Sequence, residues 1–211
     1  MTASIPQRKH WTLEQLVSEI GPVQLLEPMT KAAFLEFAGQ FPNLQIEREP
    51  NGTTIVMSPV KKGSSRRENR LSFLLNLWNQ QSNLGEVFGP NGTYDLPDGA
   101  VKMPDVSWIA LERMAGLPEE EEQFIQVVPD FVVELRSASD NLAKLQQKMT
   151  DSWIANGVRL AWLIDPYAET AYVYRPGQEI ETVQGFADQS LHGGEVLPGF
   201  ELPLREMMRR T

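Results

Sequence analysis

Two carboxylates in this chain lie where buried β-strands are expected. Asp105 directly precedes the largely apolar run VSWIA, and Glu134 lies inside the apolar run FVVEL. A buried carboxylate is costly unless a cation or hydrogen-bond donors accompany it. Carboxylates on neighbouring strands therefore favour a divalent-cation site, and oxygen-only ligands favour Mg²⁺ or Mn²⁺ over zinc. The structural alternative is that Asp105 caps a strand while Glu134 pairs with Arg136 or Lys148.

Two basic residues could complete such a site. Side chains alternate along a strand, so Glu134 and Arg136 should share one face of the sheet. On the helix that follows, Lys148 falls on the flank of the apolar stripe and can aim its ammonium at the Glu134 face, whereas Lys144 should be solvated. Arg136 can only stabilise negative charge, but Lys148 could also act as a base if its pKa were lowered. Lysines commonly flank an apolar helix face, so a purely structural role of Lys148 is the alternative.

A third acid and a basic cluster lie at the start of the preceding helix. Ser64 or Ser65 is expected to cap this helix, which should end near Gln81. Glu68 falls on its inward, apolar face, although acids are also common at helix starts without any function. The basic residues nearby are Lys61, Lys62, Arg66, Arg67 and Arg70. They are either the solvated start of a helix or contacts to a phosphate backbone.

The composition excludes several kinds of chemistry. The chain has 211 residues and no cysteine, so disulfides, thiolate catalysis and Cys-based zinc sites are absent. The two histidines, His10 and His192, lie near opposite ends of the chain, which argues against a Ser-His-Asp triad or a multi-His metal site. No stretch approaches the ~20 apolar residues of a membrane span, and no secretion signal is visible. A cytoplasmic protein is therefore expected.

The charge distribution does not decide the partner. A net charge of −9 argues at first against a nucleic acid. Part of that charge is concentrated in the acidic run at 119–122, which follows Pro118 and predicts the first turn of a short helix. The basic cluster at 61–70 contains a single acid, Glu68. A local positive surface is therefore compatible with a negative chain.

Hydrophobic periodicity predicts an α/β core with a mixed sheet. Thr30 should cap a helix over 31–39, and Asn51-Gly52 predicts a hairpin between strands 44–47 and 53–57. Further strands are expected at 85–88, 93–96, 105–111, 131–137, 159–164 and 170–174. A helix capped by Ser139 or Asp140 and ended by Gly157 should connect the strands 131–137 and 159–164.

A single folded domain is expected. Residues 1–28 form a weakly patterned N-terminal arm, with a short helix after Thr12. Residues 29–211 are enough for one domain with a substantial core. No internal repeat or low-complexity segment interrupts them.

The spacing of the candidate residues is similar to a nuclease signature. Pro104-Asp105, a gap, and then Glu134-Leu135-Arg136 resemble the PD-(D/E)XK motif of restriction-type nucleases, with Arg in place of the usual Lys. Over residues 30–204 the chain resembles the Uma-two family of restriction endonucleases, formerly a domain of unknown function. The stretches that carry this resemblance are MSP at 57–59, LPDGA at 96–100, PDVSW at 104–108, PDFVVELRS at 129–137, KM at 148–149, NGV at 156–158, WLIDP at 162–166 and LPGF at 197–200.

The resemblance implies a fold and a set of roles. The fold is a restriction-endonuclease-like αβββαβ core with a mixed sheet flanked by helices, together with an N-terminal helix and hairpin. The implied activity is that of a Mg²⁺- or Mn²⁺-dependent phosphodiesterase. Asp105 and Glu134 would hold the metal, and Glu68 would be the acid on the helix before the sheet. The usual lysine is replaced by Arg136, which would stabilise the phosphorane charge. Lys148 resembles a migrated substitute that orients or deprotonates the attacking water.

Three classes of function remain open. The first is a metal-dependent DNA endonuclease, expected to be a homodimer because both strands of a duplex must be cut. The second is a catalytically silent DNA-binding or regulatory protein, favoured by the acidity of the chain and the replaced lysine. The third is a hydrolase of a small phosphorylated metabolite, which the scarcity of basic residues suits.

Overall fold

The computed structural model describes residues 11–117 and 123–209 of the chain. The elements of the first range are α1 (Leu13–Ile20), β1 (Val23–Gln24), α2 (Lys31–Gln40), β2 (Ile46–Arg48), β3 (Thr54–Val56), α3 (Lys62–Ser82), β4 (Gly85–Phe88), β5 (Tyr94–Asp95), β6 (Val101–Lys102), β7 (Val106–Ala110) and a 3₁₀ helix (Leu111–Gly116). The elements of the second range are β8 (Phe131–Leu135), α4 (Leu142–Gln147), a π-helical segment (Lys148–Ile154), β9 (Leu160–Asp165), β10 (Thr170–Tyr174), β11 (Glu181–Gln184), β12 (Ser190–His192), β13 (Glu201–Pro203) and a 3₁₀ helix (Leu204–Met207).

A six-stranded sheet in the order β11-β10-β9-β8-β7-β4 is the centre of the fold. Strands β8 and β9 are parallel, and the other neighbouring pairs are antiparallel. A parallel pair needs a long crossover, which α4 and the π-helical segment provide. The order α3, β4, β7, β8, α4 and β9 confirms the predicted αβββαβ arrangement, with β5 and β6 diverted into a second sheet.

The two faces of the central sheet are covered by different elements. On one face, Leu71 of α3 packs in a buried cluster with Val133 of β8. On the other face, Trp153 of the π-helical segment packs in a cluster with Val132. Because side chains alternate along a strand, Glu134 is on the Val132 face and is directed toward the π-helical segment.

The second sheet has the order β1-β3-β2-β6-β5 and brings further residues to the same region. Its β2–β3 hairpin turns at Gly52, which has a φ of 90°, as the Asn51-Gly52 pair predicts. The described part of the predicted N-terminal arm packs on this sheet, since β1 pairs with β3 and Val17 of α1 is fully buried near Phe34. The boundary of the arm at residue 28 stays a prediction.

The start of α3 differs from the prediction. The helix begins at Lys62, and its N-cap residue Lys61 makes no side-chain capping bond, so neither Ser64 nor Ser65 is the cap. Ser64 is buried within the helix instead. Packing of α3 on the sheet outweighs local capping preference here, because burial stabilises a helix more than one cap does.

The helix after β8 also differs from the prediction. Its N-cap is Asn141, whose side chain accepts from the Lys144 amide, while Asp140 accepts a hydrogen bond from the Ser137 amide. The helix changes from α to π at Lys148, so the predicted uninterrupted α-helix is wrong. Single π turns inside α-helices occur frequently at functional sites.

Some predictions lie outside the described residues. These are the acidic helix start at 119–122 and the first part of the arm, residues 1–10. Within the ranges 11–117 and 123–209, no helix has the length and apolar character that a membrane crossing requires.

Candidate active site

Asp105 and Glu134 are brought together at the point where β7 begins and β8 ends. The antiparallel register pairs Val106 with Val133, which places the two acids beside one another. The Asp105 amide donates to the Val133 carbonyl at 3.1 Å. The Leu135 amide donates to Oδ2 of Asp105 at 2.5 Å. The backbone of β8 therefore holds the Asp105 carboxylate next to the Glu134 position.

Glu134 is buried and its carboxylate has two donors. Trp153 Nε1 donates to Oε1 at 2.8 Å, and Lys148 Nζ lies 2.8 Å from the same oxygen. The Glu134 side chain is only 7% exposed, so these contacts occur in a low-dielectric surrounding. Its orientation is thus set by the π-helical segment.

Lys148 points into the sheet, as the helical wheel predicts. Its ammonium lies between two carboxylates, 2.8 Å from Glu134 and 2.7 Å from Oε1 of Glu47. It also donates to the Met103 carbonyl at 3.3 Å. Lys144 is exposed, as expected. The geometric condition for a migrated lysine is met, although the same contact also satisfies the structural alternative in which Glu134 pairs with Lys148.

Glu47 on β2 was not identified from the sequence. It is 5% exposed and accepts from the Met103 amide at 3.2 Å, in addition to its contact with Lys148. Lys102 Nζ lies 3.4 Å from its second oxygen and also bonds Glu49. No local pattern singles out Glu47, because an acid on a short hairpin strand is ordinarily solvated.

The three sequence-predicted acids are electrostatically unfavourable when ionised. Burial raises the pKa of Asp105 well above its ordinary value, and the charges of Glu134 and Glu68 raise it further. Burial also raises the pKa of Glu134, despite the opposing charge of Lys148. For Glu68, burial raises the pKa and the nearby Arg67 offsets part of that effect. Coupled, raised carboxyl pKa values are typical of functional sites.

Glu47 and Lys148 show the opposite behaviour. Burial would raise the pKa of Glu47, but Lys148 and Lys102 outweigh it and hold that pKa at about 2. Burial would lower the pKa of Lys148, but the carboxylates of Glu134 and Glu47 raise it above the ordinary range of a lysine. Lys148 is therefore a protonated cation at neutral pH, which disfavours the base role considered from the sequence.

The donor set suits a hard divalent cation. Neither Oδ1 of Asp105 nor Oε2 of Glu134 receives a hydrogen bond from any residue in the described ranges, so each has an oxygen free to act as a ligand. Glu68 is 7% exposed, and its side chain makes no hydrogen bond or ion pair with the described part of the chain. Within that part, no three Asp, Glu or His side chains form a ready-made metal cage. The available ligands are thus the carboxylates of Asp105 and Glu134, and Glu68 is close enough to affect the charge of Asp105.

Arg136 is directed to a different partner. Its Nη1 donates to Oδ2 of the fully buried Asp165 at 2.7 Å, and its Nε donates to the Asp140 carbonyl at 3.4 Å. Its guanidinium also stacks on the ring of Tyr167. Because β8 and β9 are parallel and in register, the residue after Leu135 lies beside the end of β9. The structure therefore brings Arg136 to Asp165 and not to Glu134.

The basic cluster of α3 is not one surface. Lys61 and Lys62 are exposed. Arg66 donates to the Met208 carbonyl at 2.7 Å, and Arg70 forms an ion pair with Glu206 at 2.9 Å, so both attach α3 to the C-terminal segment. Arg67 is 3% exposed, and its guanidinium lies over the ring of Tyr167.

Comparison with known proteins agrees with the fold. A family profile described as "Uma2: Putative restriction endonuclease" matches residues 32–205. A crystal structure of "a putative nuclease belonging to DUF820" from Anabaena variabilis is 22% identical, with a TM-score of 0.70 over 85% of this chain and 97% of that chain. A cryo-EM structure of a DrdV–DNA complex is 15% identical, with a TM-score of 0.36 over 58% of this chain and 12% of that chain, which is too low to support an argument. No curated protein sequence matches the chain.

Proposed function

The chain belongs to the Uma2 family, and on that basis we propose that it is a metal-dependent endonuclease that hydrolyses phosphodiester bonds in DNA. The observation that supports the proposal is the arrangement of Asp105 and Glu134 on adjacent strands, with the ammonium of Lys148 2.8 Å from Glu134. An acid pair beside a buried cation is a suitable arrangement for reaction at a phosphate, since charge develops there.

Asp105 and Glu134 would hold Mg²⁺ or Mn²⁺, with Glu68 as the third acid nearby. When bound, such a cation polarises the phosphoryl group and makes a water molecule more nucleophilic. The raised pKa values of the acids support this assignment. Burial and like-charge repulsion make the ionised carboxylates unfavourable, and a bound cation would offset both effects.

Lys148 would stabilise negative charge on the phosphoryl oxygens and help to orient the water. Its raised pKa keeps the ammonium protonated, so charge stabilisation fits better than proton abstraction. Glu47 anchors the ammonium from the second sheet at 2.7 Å, which restricts where it can move. Glu47 is therefore a positioning residue for Lys148 in this proposal.

The DNA backbone would be contacted from the α3 side. Lys61 and Lys62 are exposed at the start of α3, where basic residues are unfavourable to the helix dipole and a phosphate would offset them. Arg66 and Arg70 are committed to the C-terminal segment, so we assign them a weaker share of binding. Such contacts provide affinity without sequence information.

A plasmid assay tests the proposal. Supercoiled DNA is incubated with the protein and Mg²⁺ or Mn²⁺, and nicked and linear products are quantified. Glu134→Gln should abolish cleavage, whereas Glu86→Gln, which changes an exposed glutamate on β4 of the same sheet, should leave it unchanged. Equal cleavage by wild type and Glu134→Gln would refute the assigned site.

A catalytically silent member of the family is the second candidate. It is favoured by the absence of a ready-made cage among the described residues and by the engagement of Lys148 with two carboxylates. DNA binding with no cleavage in either metal, and no measurable Mn²⁺ binding, would support it. Sedimentation of the protein with and without DNA tests the homodimer that double-strand cleavage requires.

A further inference from the structure

Three arginines surround the ring of Tyr167. The guanidinium carbons of Arg67, Arg136 and Arg209 lie 5.9, 5.8 and 5.1 Å from the ring centroid. They come from α3, from the residue after β8 and from the C-terminal segment. Tyr167 is 37% exposed, so a ligand can reach the cluster from solvent.

The turn that presents Tyr167 is held by a buried acid. Asp165 is fully buried, and its Oδ1 accepts from the amides of Tyr167 and Ala168 at 2.9 and 3.1 Å. Its Oδ2 accepts from Arg136 at 2.7 Å. One carboxylate thus orients both the aromatic ring and one of the guanidinium groups.

Arg67 is the unusual member of this cluster. It is 3% exposed, and its Nε is buried without a hydrogen-bond partner. No ion pair reaches Arg67 from the residues that the structure describes, and Glu68 is only a charge in its vicinity. A buried guanidinium without a bonded anion is costly, since charged groups are buried only when paired.

The cluster has more positive than negative charge. Asp165 is paired with Arg136, and Glu68 belongs to the acid group at Asp105. Arg67 and Arg209 have no ion pair in the described part of the chain. Arginines present several N–H donors in a plane that matches the oxygens of phosphate, and an aromatic ring beneath them restricts their orientation.

We propose that Arg67, Arg136 and Arg209, arranged around Tyr167, form a binding site for one phosphate group. The phosphate is either an internal backbone phosphate or a terminal 5′-phosphate of a nucleic-acid strand, and both present the same oxygens to the guanidinium groups. The charge of Arg67 acts on Glu68, and that of Glu68 acts on Asp105, so the bound phosphate would lie near the proposed cleavage site. The nucleic-acid source rests on the proposed function, whereas phosphate binding does not.

Phosphate binding is tested first with inorganic phosphate, by calorimetry on the metal-free full-length protein. Arg67→Met and Arg209→Met should each weaken binding by roughly tenfold or more, as expected for a lost charged hydrogen bond. Arg175→Met is the matched control, because Arg175 pairs with Glu181 on the surface. Equal affinity in all four proteins overturns the site. If circular dichroism shows that the Arg67→Met protein is unfolded, the phosphate affinity of Arg209→Met compared with that of Arg175→Met decides whether the site exists.

The source of the phosphate is tested with single-stranded oligonucleotides that carry or lack a 5′-phosphate, by fluorescence anisotropy in EDTA. A terminal site predicts that the 5′-phosphate strengthens binding to wild type but not to Arg209→Met. An internal site predicts equal weakening of both oligonucleotides by Arg209→Met. An Arg209→Met protein that binds both oligonucleotides as wild type does would overturn the nucleic-acid source. The plasmid assay with Glu134→Gln reports separately on the proposed function.

Discussion

The ammonium of Lys148 lies 2.8 Å from Oε1 of Glu134 and 2.7 Å from Oε1 of Glu47, so one buried cation joins the two sheets. Glu134 is on β8 of the central sheet, and Glu47 is on β2 of the second sheet. This contact determines how the candidate active site is assembled, because the cation can serve both carboxylates only if the two sheets are correctly placed.

Removal of one acid should abolish metal binding without unfolding the protein. Asp105→Asn and Glu134→Gln are expected to lose Mn²⁺ binding in calorimetry, since each removes a carboxylate ligand. Without metal, the thermal stability of Asp105→Asn should equal or exceed that of wild type, because burial and like-charge repulsion disfavour the ionised Asp105.

The exposed variant Glu86→Gln is the control for both measurements. Loss of several kcal/mol of stability in Asp105→Asn, together with unchanged Mn²⁺ affinity, would show that Asp105 is structural.

Loss of the Lys148 charge should affect both stability and turnover. Lys148→Met leaves Glu47 and Glu134 without their shared cation, which should cost on the order of 3–5 kcal/mol in urea unfolding. Under conditions in which the variant is folded, cleavage should fall by orders of magnitude. The exposed Lys144→Met on the same helix is the matched control and should change neither.

A double variant separates the two effects of Lys148. Lys148→Met combined with Glu47→Gln should regain part of the lost stability, because one buried charge has been removed, but it should not regain activity. Recovery of activity in the double variant would contradict the proposed role of the ammonium.

Acid should reveal the contribution of Glu47. The pKa of Glu47 is about 2 in the folded protein, against 4.5 for an unperturbed glutamate side chain. A depressed folded pKa contributes stability that is present above pH 4.5 and lost as the pH falls toward 2, here on the order of 3 kcal/mol. The stability difference between wild type and Glu47→Gln, measured by urea unfolding, should therefore shrink over this range.

The comparison with Glu47→Gln is needed because Asp105 and Glu134 act in the opposite direction. Their raised pKa values mean that the folded state binds protons more tightly than the unfolded state. Their contribution to the free energy of unfolding therefore decreases as the pH rises. A wild-type-minus-variant difference that is constant from pH 5 to pH 2 would contradict the ionic role of Glu47.

The salt dependence of DNA binding should report on Lys61 and Lys62. Each lysine-to-glutamine change should lower the slope of log affinity against log salt by about one unit per lost phosphate contact. Lys144→Gln, on a different helix, is the control. An unchanged slope in the Lys61→Gln, Lys62→Gln protein would remove the start of α3 from the interface.

Loss of the Arg136 charge should reduce the stability of the protein more than it reduces DNA cleavage. Arg136→Met removes the ion pair of the fully buried Asp165, which should cost about 3 kcal/mol in urea unfolding. Its effect on cleavage in the folded protein should be smaller than that of Lys148→Met, because the Arg136 guanidinium bonds Asp165 and not Glu134. A larger effect on turnover than that of Lys148→Met would assign the catalytic cation to Arg136.

Local sequence patterns were sufficient for the central strands and for the two main acids. The short apolar runs around Asp105 and Glu134 predict buried strands, which the structure has, and the Asn51-Gly52 pair selects a hairpin turn. Some strands of two or three residues, such as β6 and β12, were missed because so short a segment shows no period.

The starts of α3 and α4 were predicted less well than that of α2, whose predicted cap Thr30 is confirmed. Lys61 precedes α3 without a capping side chain, and the cap of α4 is Asn141. The change from α to π at Lys148 has no signal in the sequence.

The sequence by itself determined the central strands β7, β8 and β9, the positions of Asp105 and Glu134, and the side of the helix on which Lys148 lies, because these depend on periods of two and 3.6 residues. Only the tertiary structure decided that Glu47 shares the ammonium, that Arg136 turns to Asp165, and that Arg67 meets Tyr167. Lys148 and Glu47 are 101 positions apart. Which distant charges meet is set by how the sheets and helices pack, and local periodicity contains no information about that.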